Sequence, residues 1–138
     1  MSHTALLQNV TLFSPGHPLH NRSVEIVIKD GVISALGEGL GLAASELIDG
    51  QGAYVSMGWM DPFGVCPDPG EPWKETLLSY SEAAQKGGFT QVAALCGSNP
   101  KPDNESVIAQ VNGIGKGLPA EILPLGYSSV GGEGKEMA

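Results

Sequence analysis

A chain of 138 residues with 41% hydrophobic residues is long enough for one modest domain with its own core. A net charge of −8 argues against nucleic acid and anionic membrane surfaces as partners, since both select basic patches. No apolar run reaches the roughly 18 residues of a membrane span, and two cysteines are too few for a disulfide scaffold. The first residues, Met1-Ser2-His3-Thr4-Ala5, carry neither the basic stretch nor the long apolar core of a secretory signal, so the cytoplasm is the expected compartment.

In chain order, residues 5–12 read as a short apolar strand, followed by the turn cluster Ser14-Pro15-Gly16-His17-Pro18. Ser23–Ile28 and Val32–Leu36 are two β-rich runs joined by Lys29-Asp30-Gly31, a strong hairpin signal. Residues 46–52 give another short strand and turn. Residues 1–54 are therefore expected to be a small all-β unit, and residues 55–138 a second unit of different character. Residues 55–70 read as a buried strand running out into a Pro/Gly loop, the place where a parallel barrel keeps its chemistry. A helix is expected from Pro72 to about Lys86, with Leu77, Tyr80 and Ala84 on one stripe and Gly87-Gly88 as its stop. Phe89–Cys96 reads as a buried parallel strand. Val107, Ile108, Val111 and Ile114 mark a second helix, which Gly113 and Gly115 weaken, and residues 121–127 read as a third strand. Strand and helix in alternation give a parallel α/β fold class. The last five residues resemble the first turn of a third helix. Three strands cannot close a barrel, so the chain is expected to be either a fragment of a longer protein or one completed by a partner copy.

Few side chains offer chemistry. His3, His17 and His20 are the three imidazoles; His17 and His20 lie in a turn-rich loop and read as solvated residues. Cys66 and Cys96 each follow a barrel strand, and their thiols could meet at its mouth as a redox or soft-metal pair; the plainer reading is small apolar filler. Trp59 and Trp73 read as packing groups. Gly113-x-Gly115-x-Gly117 follows a helix instead of a strand, and Gly126 to Gly131 with Lys135 has the wrong spacing, so neither reads as a phosphate loop.

The run Val55-Ser56-Met57-Gly58-Trp59-Met60-Asp61, with Pro69-Gly70, Lys74-Glu75, Gly87-Gly88-Phe89-Thr90 and Ser98-Asn99-Pro100 with Asp103, resembles the cyclic amidohydrolases, dihydroorotases in particular. Ile28-Lys29-Asp30-Gly31-Val32-Ile33 and Leu47–Gly52 are similar to that family's N-terminal β-unit. The resemblance implies a distorted (β/α)8 barrel with an attached β-sandwich, of which residues 1–54 supply sandwich strands and residues 55–138 about three βα units. It also implies a metal grip, Asp-x-His-x-His, followed by Leu-Arg-Glu-Pro-Gly. Asp61 is kept, but the two histidine positions hold Phe63 and Val65, which have no electron pair for Zn²⁺. The arginine that would clamp a substrate carboxylate is Pro67, the substrate-binding asparagine is Gly97, and the glutamate is Asp68. Asp61, Phe63, Val65, Pro67 and Gly97 are thus degenerate pocket positions, and no catalytic, metal-binding or substrate-binding residue is assigned.

The pattern resembles the non-catalytic dihydroorotase homologues kept beside aspartate carbamoyltransferase. The expectation is a pseudoenzyme of pyrimidine biosynthesis that supports that partner and needs no cofactor. The alternative is an active cyclic-amide hydrolase with zinc ligands beyond residue 138. A third reading is a small self-associating binding module. In the first reading Asp61 is a strand-end carboxylate holding backbone N–H groups, and Phe63 and Val65 fill the space a metal would take.

Overall fold

The computed structural model describes residues 3–138 and divides into two compact units, the break falling between Met57 and Gly58. The first unit is one five-stranded sheet. β1 (Thr4–Phe13) and β2 (Ser23–Lys29) are antiparallel, as are β2 and β3 (Val32–Gly37). β4 (Glu46–Asp49) and β5 (Tyr54–Ser56) both add to β1 in parallel, one after the other along the same edge. The Asp-Gly hairpin forms as the sequence implies: Asp30 (φ 50°) and Gly31 (φ 81°) are both left-handed, the geometry of a two-residue primed turn. Between β4 and β5 the chain turns at Gly50, where a Cβ would collide with Val10; the Asp49 carboxylate takes the Gln51 N–H at 2.9 Å and the Asn9 amide at 3.0 Å. Those two donors, the backbone one first, hold the Asp49 carboxyl below its usual range. Val10, Leu12, Val24 and Ile26 form this unit's core. Tyr54–Ser56, expected to lead into the second unit, belong to this sheet, because their ladder is with Thr11–Phe13.

The second unit is a three-stranded parallel sheet, β6 (Trp59–Cys66), β7 (Phe89–Cys96) and β8 (Glu121–Leu125), with β7 in the middle. Helices α1 (Leu77–Lys86) and α2 (Glu105–Gly115) connect the strands and cover one face. Cys66, Leu77, Val92, Ala94, Cys96, Val111 and Ile122 form the core between helices and sheet. Strand–helix repetition over a parallel sheet is the architecture expected of the opening of a (β/α)8 barrel.

Two expectations need correction. α1 starts at Leu77 and not at Pro72. Thr76 is the N-cap in extended backbone: its hydroxyl takes the Ser79 N–H at 3.1 Å, and the Ser79 hydroxyl takes the Thr76 N–H at 3.0 Å. That reciprocal cap outcompetes the proline signal, and residues 71–75 remain in turns. The end of the chain is not a helix turn. Val130–Gly132 make a single 3₁₀ turn, and Ser129 bridges to Met137 in antiparallel fashion, with Gly131, Gly132 and Gly134 all left-handed. By contrast α2 runs through both of its glycines. Gly115 is required there, since a Cβ would lie 2.6 Å from the Ile122 carbonyl oxygen and hold the helix off β8.

Among the described residues Ser81 is the one buried polar side chain, and it fastens α1 to the start of β8. Its hydroxyl donates to the Ala120 carbonyl and accepts the Ala120 N–H, both at 2.8 Å. Ser81→Ala leaves both backbone groups without a partner, so it is expected to cost about 1–3 kcal/mol, read as a lower urea midpoint at unchanged slope.

Candidate functional site

Parallel α/β sheets present their chemistry at the C-terminal strand ends. In this chain that edge consists of the ends of β6 and β7 with the loops that leave them. β6 enters the region irregularly. Asp61 is level with Val92 and Gly64 with Ala94, so three residues of β6 span two of β7, a bulge of one extra residue. An unbroken strand would place positions 61, 63 and 65 on one face. The bulge separates them. Asp61 shares the face of Val92, the helix side, where its charge together with burial raises the Tyr80 phenol above the ordinary value, burial being the larger cause. Gly64 and Cys66 also face the helices: a Cβ on Gly64 would strike the Tyr80 hydroxyl. Phe63 and Val65 therefore point to the opposite, lumen-side face.

The five pocket positions are thus not one constellation. Asp61 accepts the Phe63 N–H at 3.1 Å, which closes the bulge and matches the backbone-capping role expected of a strand-end carboxylate. Phe63 is 65% exposed and Val65 59% exposed, so within this unit they line an open apolar face and fill no hole. Trp59 and Trp73, expected as packing groups, are 61% and 75% exposed. Asp68 is turned away from the lumen side as well; its carboxylate accepts the Leu77 N–H at 3.0 Å, at the first residue of α1.

Pro67 and Gly97 meet in a different way. The Gly97 N–H donates to the Cys66 carbonyl at 3.0 Å, the Ser98 N–H to the Pro69 carbonyl at 2.9 Å, and the Ser98 hydroxyl to the Pro67 carbonyl at 3.2 Å. The two mouth loops therefore bond to each other. Gly97 has φ +104°, and a Cβ there would stand 2.9 Å from the Pro100 carbonyl oxygen. Gly70 has φ +126°, and a Cβ would run into Ser98 and the Asn99 N–H. At both positions the backbone conformation and the space admit glycine alone. Below the loops, Cys66 and Cys96 are register partners, both fully buried and unoxidised.

Zinc needs imidazole, thiolate or carboxylate donors converging on one point. Phe63 and Val65 offer none, Asp61 lies on the other face, and among the described residues no group of three His, Cys, Asp or Glu side chains converges. The residues present do not fit the metal. The histidines serve local structure in the first unit. His3 Nε2 lies 3.1 Å from Glu46, His17 Nδ1 accepts the Leu19 N–H, and His20 Nδ1 accepts the Ser14 N–H while its ring meets Phe13 edge-on at 5.4 Å. Sequence reasoning missed the bulge and the loop-to-loop bonding. The only sequence signal for either was the density of Gly and Pro at residues 62–70 and 97–102.

The chain is similar to curated dihydroorotases along most of its length. It is 35% identical over 134 residues to the dihydroorotase of Ruminiclostridium cellulolyticum, covering 92% of this chain and 31% of that protein. It is 29% identical over 134 residues to that of Aquifex aeolicus, covering 96% and 32%. The chain therefore spans about a third of the length of these relatives. Among solved structures, the L-hydantoinase (dihydropyrimidinase) of Arthrobacter aurescens superposes with a TM-score of 0.78 over 95% of this chain and 29% of that one, at 21% identity. An amidohydrolase crystal structure superposes with a TM-score of 0.63 over 89% of this chain and 31% of that one. No protein-family model matches. Among the described residues no helix is long and apolar enough to cross a membrane.

Two measurements check the site geometry. Gly97→Asn is expected to destabilise the protein by about 1–3 kcal/mol through its left-handed backbone, seen as a lowered denaturation midpoint. Folded Tyr80 gives up its proton at higher pH than an unfolded tyrosine. Its contribution to stability is therefore complete below about pH 10 and lost as pH rises through the folded value. Ultraviolet titration should find this phenol ionising late, and Asp61→Asn should bring it earlier. Over nearly all of its length, then, the chain is dihydroorotase-like in sequence, and its fold is that of the opening part of an amidohydrolase barrel.

Proposed function

We propose that the protein carrying this chain is a dihydroorotase-like subunit that performs no hydrolysis and acts as a structural partner in pyrimidine biosynthesis, with aspartate carbamoyltransferase as the partner. One observation carries the reading: the lumen-side positions at the end of β6 that the family fills with imidazole are a phenyl and an isopropyl group. Hydrolysis of a cyclic amide in this family depends on a metal that polarises the carbonyl and supplies an activated water. Neither hydrocarbon can hold that metal.

The surroundings support the same reading. The carboxylate-clamp position is Pro67, whose carbonyl is engaged by Ser98. The amide position is Gly97, whose conformation excludes a side chain. The scaffold beneath is kept, with a packed core and capped helices. A barrel that keeps its frame while its donors are replaced is suited to binding through its outer surface. The pairing with aspartate carbamoyltransferase rests on the resemblance to non-catalytic homologues that accompany that enzyme.

The test is metal analysis and a dihydroorotase assay on the full-length protein, followed by sedimentation with aspartate carbamoyltransferase. The expected result is substoichiometric zinc, no conversion of carbamoyl-aspartate to dihydroorotate, and co-sedimentation in fixed ratio. Stoichiometric zinc together with turnover would overturn the proposal in favour of an active hydrolase that draws its ligands from other strands. Separate sedimentation would remove the partner.

A further inference from the structure

The one cluster of nucleophilic side chains in the second unit that the proposed function does not use is the thiol pair under the mouth loops. We propose that Cys66 and Cys96 are a reversible redox pair, in which a low-molecular-weight disulfide oxidises the two thiols to a cross-link between the C-terminal ends of β6 and β7.

The geometry carries this inference. The two residues are ladder partners in adjacent parallel strands, so their side chains leave the sheet on the same face. Neighbouring strands lie about 4.8 Å apart, inside the roughly 4.4–6.8 Å range of Cα separations that a disulfide spans. Both side chains are fully buried, which limits the directions in which the sulfurs can turn, and each thiol shifts the other's ionisation, Cys66 down and Cys96 up. No third His, Cys, Asp or Glu among the described residues joins them as a metal ligand. Flat neighbouring strands hold their Cβ atoms slightly wider than an ideal disulfide prefers, which makes the bond easy to reduce and suits a switch better than a permanent staple.

The roles of the two sulfurs differ. The neighbouring Cys96 thiol is the main reason the Cys66 thiol is held below the ordinary value, against the opposing effect of burial. Cys96 is pushed up, first by the Cys66 side chain and then by burial. Cys66 is therefore the attacking thiolate. Its sulfur bonds to one sulfur of the reagent, the reagent's S–S bond breaks, and one reagent thiolate leaves. Cys96 then gives its proton to solvent or to that thiolate and attacks Cys66 Sγ. The second reagent thiolate leaves, so two electrons have passed from the cysteines to the reagent. Entry of the reagent requires the two mouth loops to part, which breaks the three hydrogen bonds between them, so the reaction is slow and reports loop opening.

The experiment is to treat the native full-length protein with glutathione disulfide, block remaining thiols with iodoacetamide, and digest without reductant. The expected product is a single cross-linked peptide pair containing Cys66 and Cys96, lighter than the two free peptides by about 2 Da and split by dithiothreitol. The Cys96→Ser variant should instead trap a mixed disulfide on Cys66. Recovery of both peptides fully alkylated after prolonged oxidation, or a cross-link that joins two chains through these residues, would overturn the proposal. The wild-type peptide map decides the matter even if the serine variant does not fold. It is also independent of whether the protein binds zinc or hydrolyses anything.

Discussion

The mouth of the second unit is governed by a backbone constraint: the loop leaving β6 and the loop leaving β7 satisfy each other's main-chain groups. In a barrel enzyme these loops hold side chains toward a substrate. In this chain the Cys66, Pro67 and Pro69 carbonyls are all engaged by Gly97 and Ser98. Each such bond is worth about 0.5–1.5 kcal/mol net, and leaving the same groups buried and unpaired would cost more. Once the loops bond in this way, the residue types at the mouth follow. Pro67 gives up only an N–H that this pattern does not need. Gly70 is held where a Cβ would enter the facing loop, and Gly97 where one would press on the Pro100 carbonyl of its own loop. Pro67 and Gly97 are therefore part of a coherent local structure held by main-chain hydrogen bonds.

That structure rests on the layer beneath. Cys66 and Cys96 fill the space under the loops with small, fully buried side chains, continuous with Val92, Ala94 and Ile122. Larger residues at the two cysteine positions would lift the loops, and smaller ones would leave voids. Ser81 then ties the middle of α1 to the start of β8 through both polar groups of Ala120, so the helix is fixed by hydrogen bonds as well as by packing. At its start the same helix is fixed by its Thr76–Ser79 cap and by Asp68, which comes directly from the mouth loop. The loop geometry and the placement of α1 are consequently one problem, solved by the same short segment.

Much of this fold is legible in the residues, and the parts that are not share a cause. Asp30-Gly31 forces its hairpin because both residues must adopt positive φ, a purely local demand. Phe89–Cys96 reads as a buried strand because both of its faces are apolar. The start of α1 was misplaced because Pro72 and Thr76 are both good starting signals, and only the reciprocal bond with Ser79 decides between them. The final residues do not continue as a helix because Gly131, Gly132 and Gly134 are left-handed and Ser129 bridges to Met137. The bulge at Asp61–Gly64 is the most consequential miss. Alternation counted along one strand puts Asp61 beside Phe63 and Val65. The register is set by the neighbouring strand, and a one-residue slip moves a side chain to the other face.

That slip bears on what a metal site at this mouth would require. A metal grip needs donors on one face, held in orientation by further hydrogen bonds. Returning imidazoles to positions 63 and 65 alone would place two nitrogen donors on the lumen side while the Asp61 carboxylate stayed on the helix side, bonded to the Phe63 N–H. A returned asparagine at position 97 would meet the Pro100 carbonyl in a backbone conformation it does not favour. The apolar side chains, the bulge and the bonded loops thus reinforce one another. The physical barrier between this mouth and a working metal site is a difference in backbone as well as in side chains.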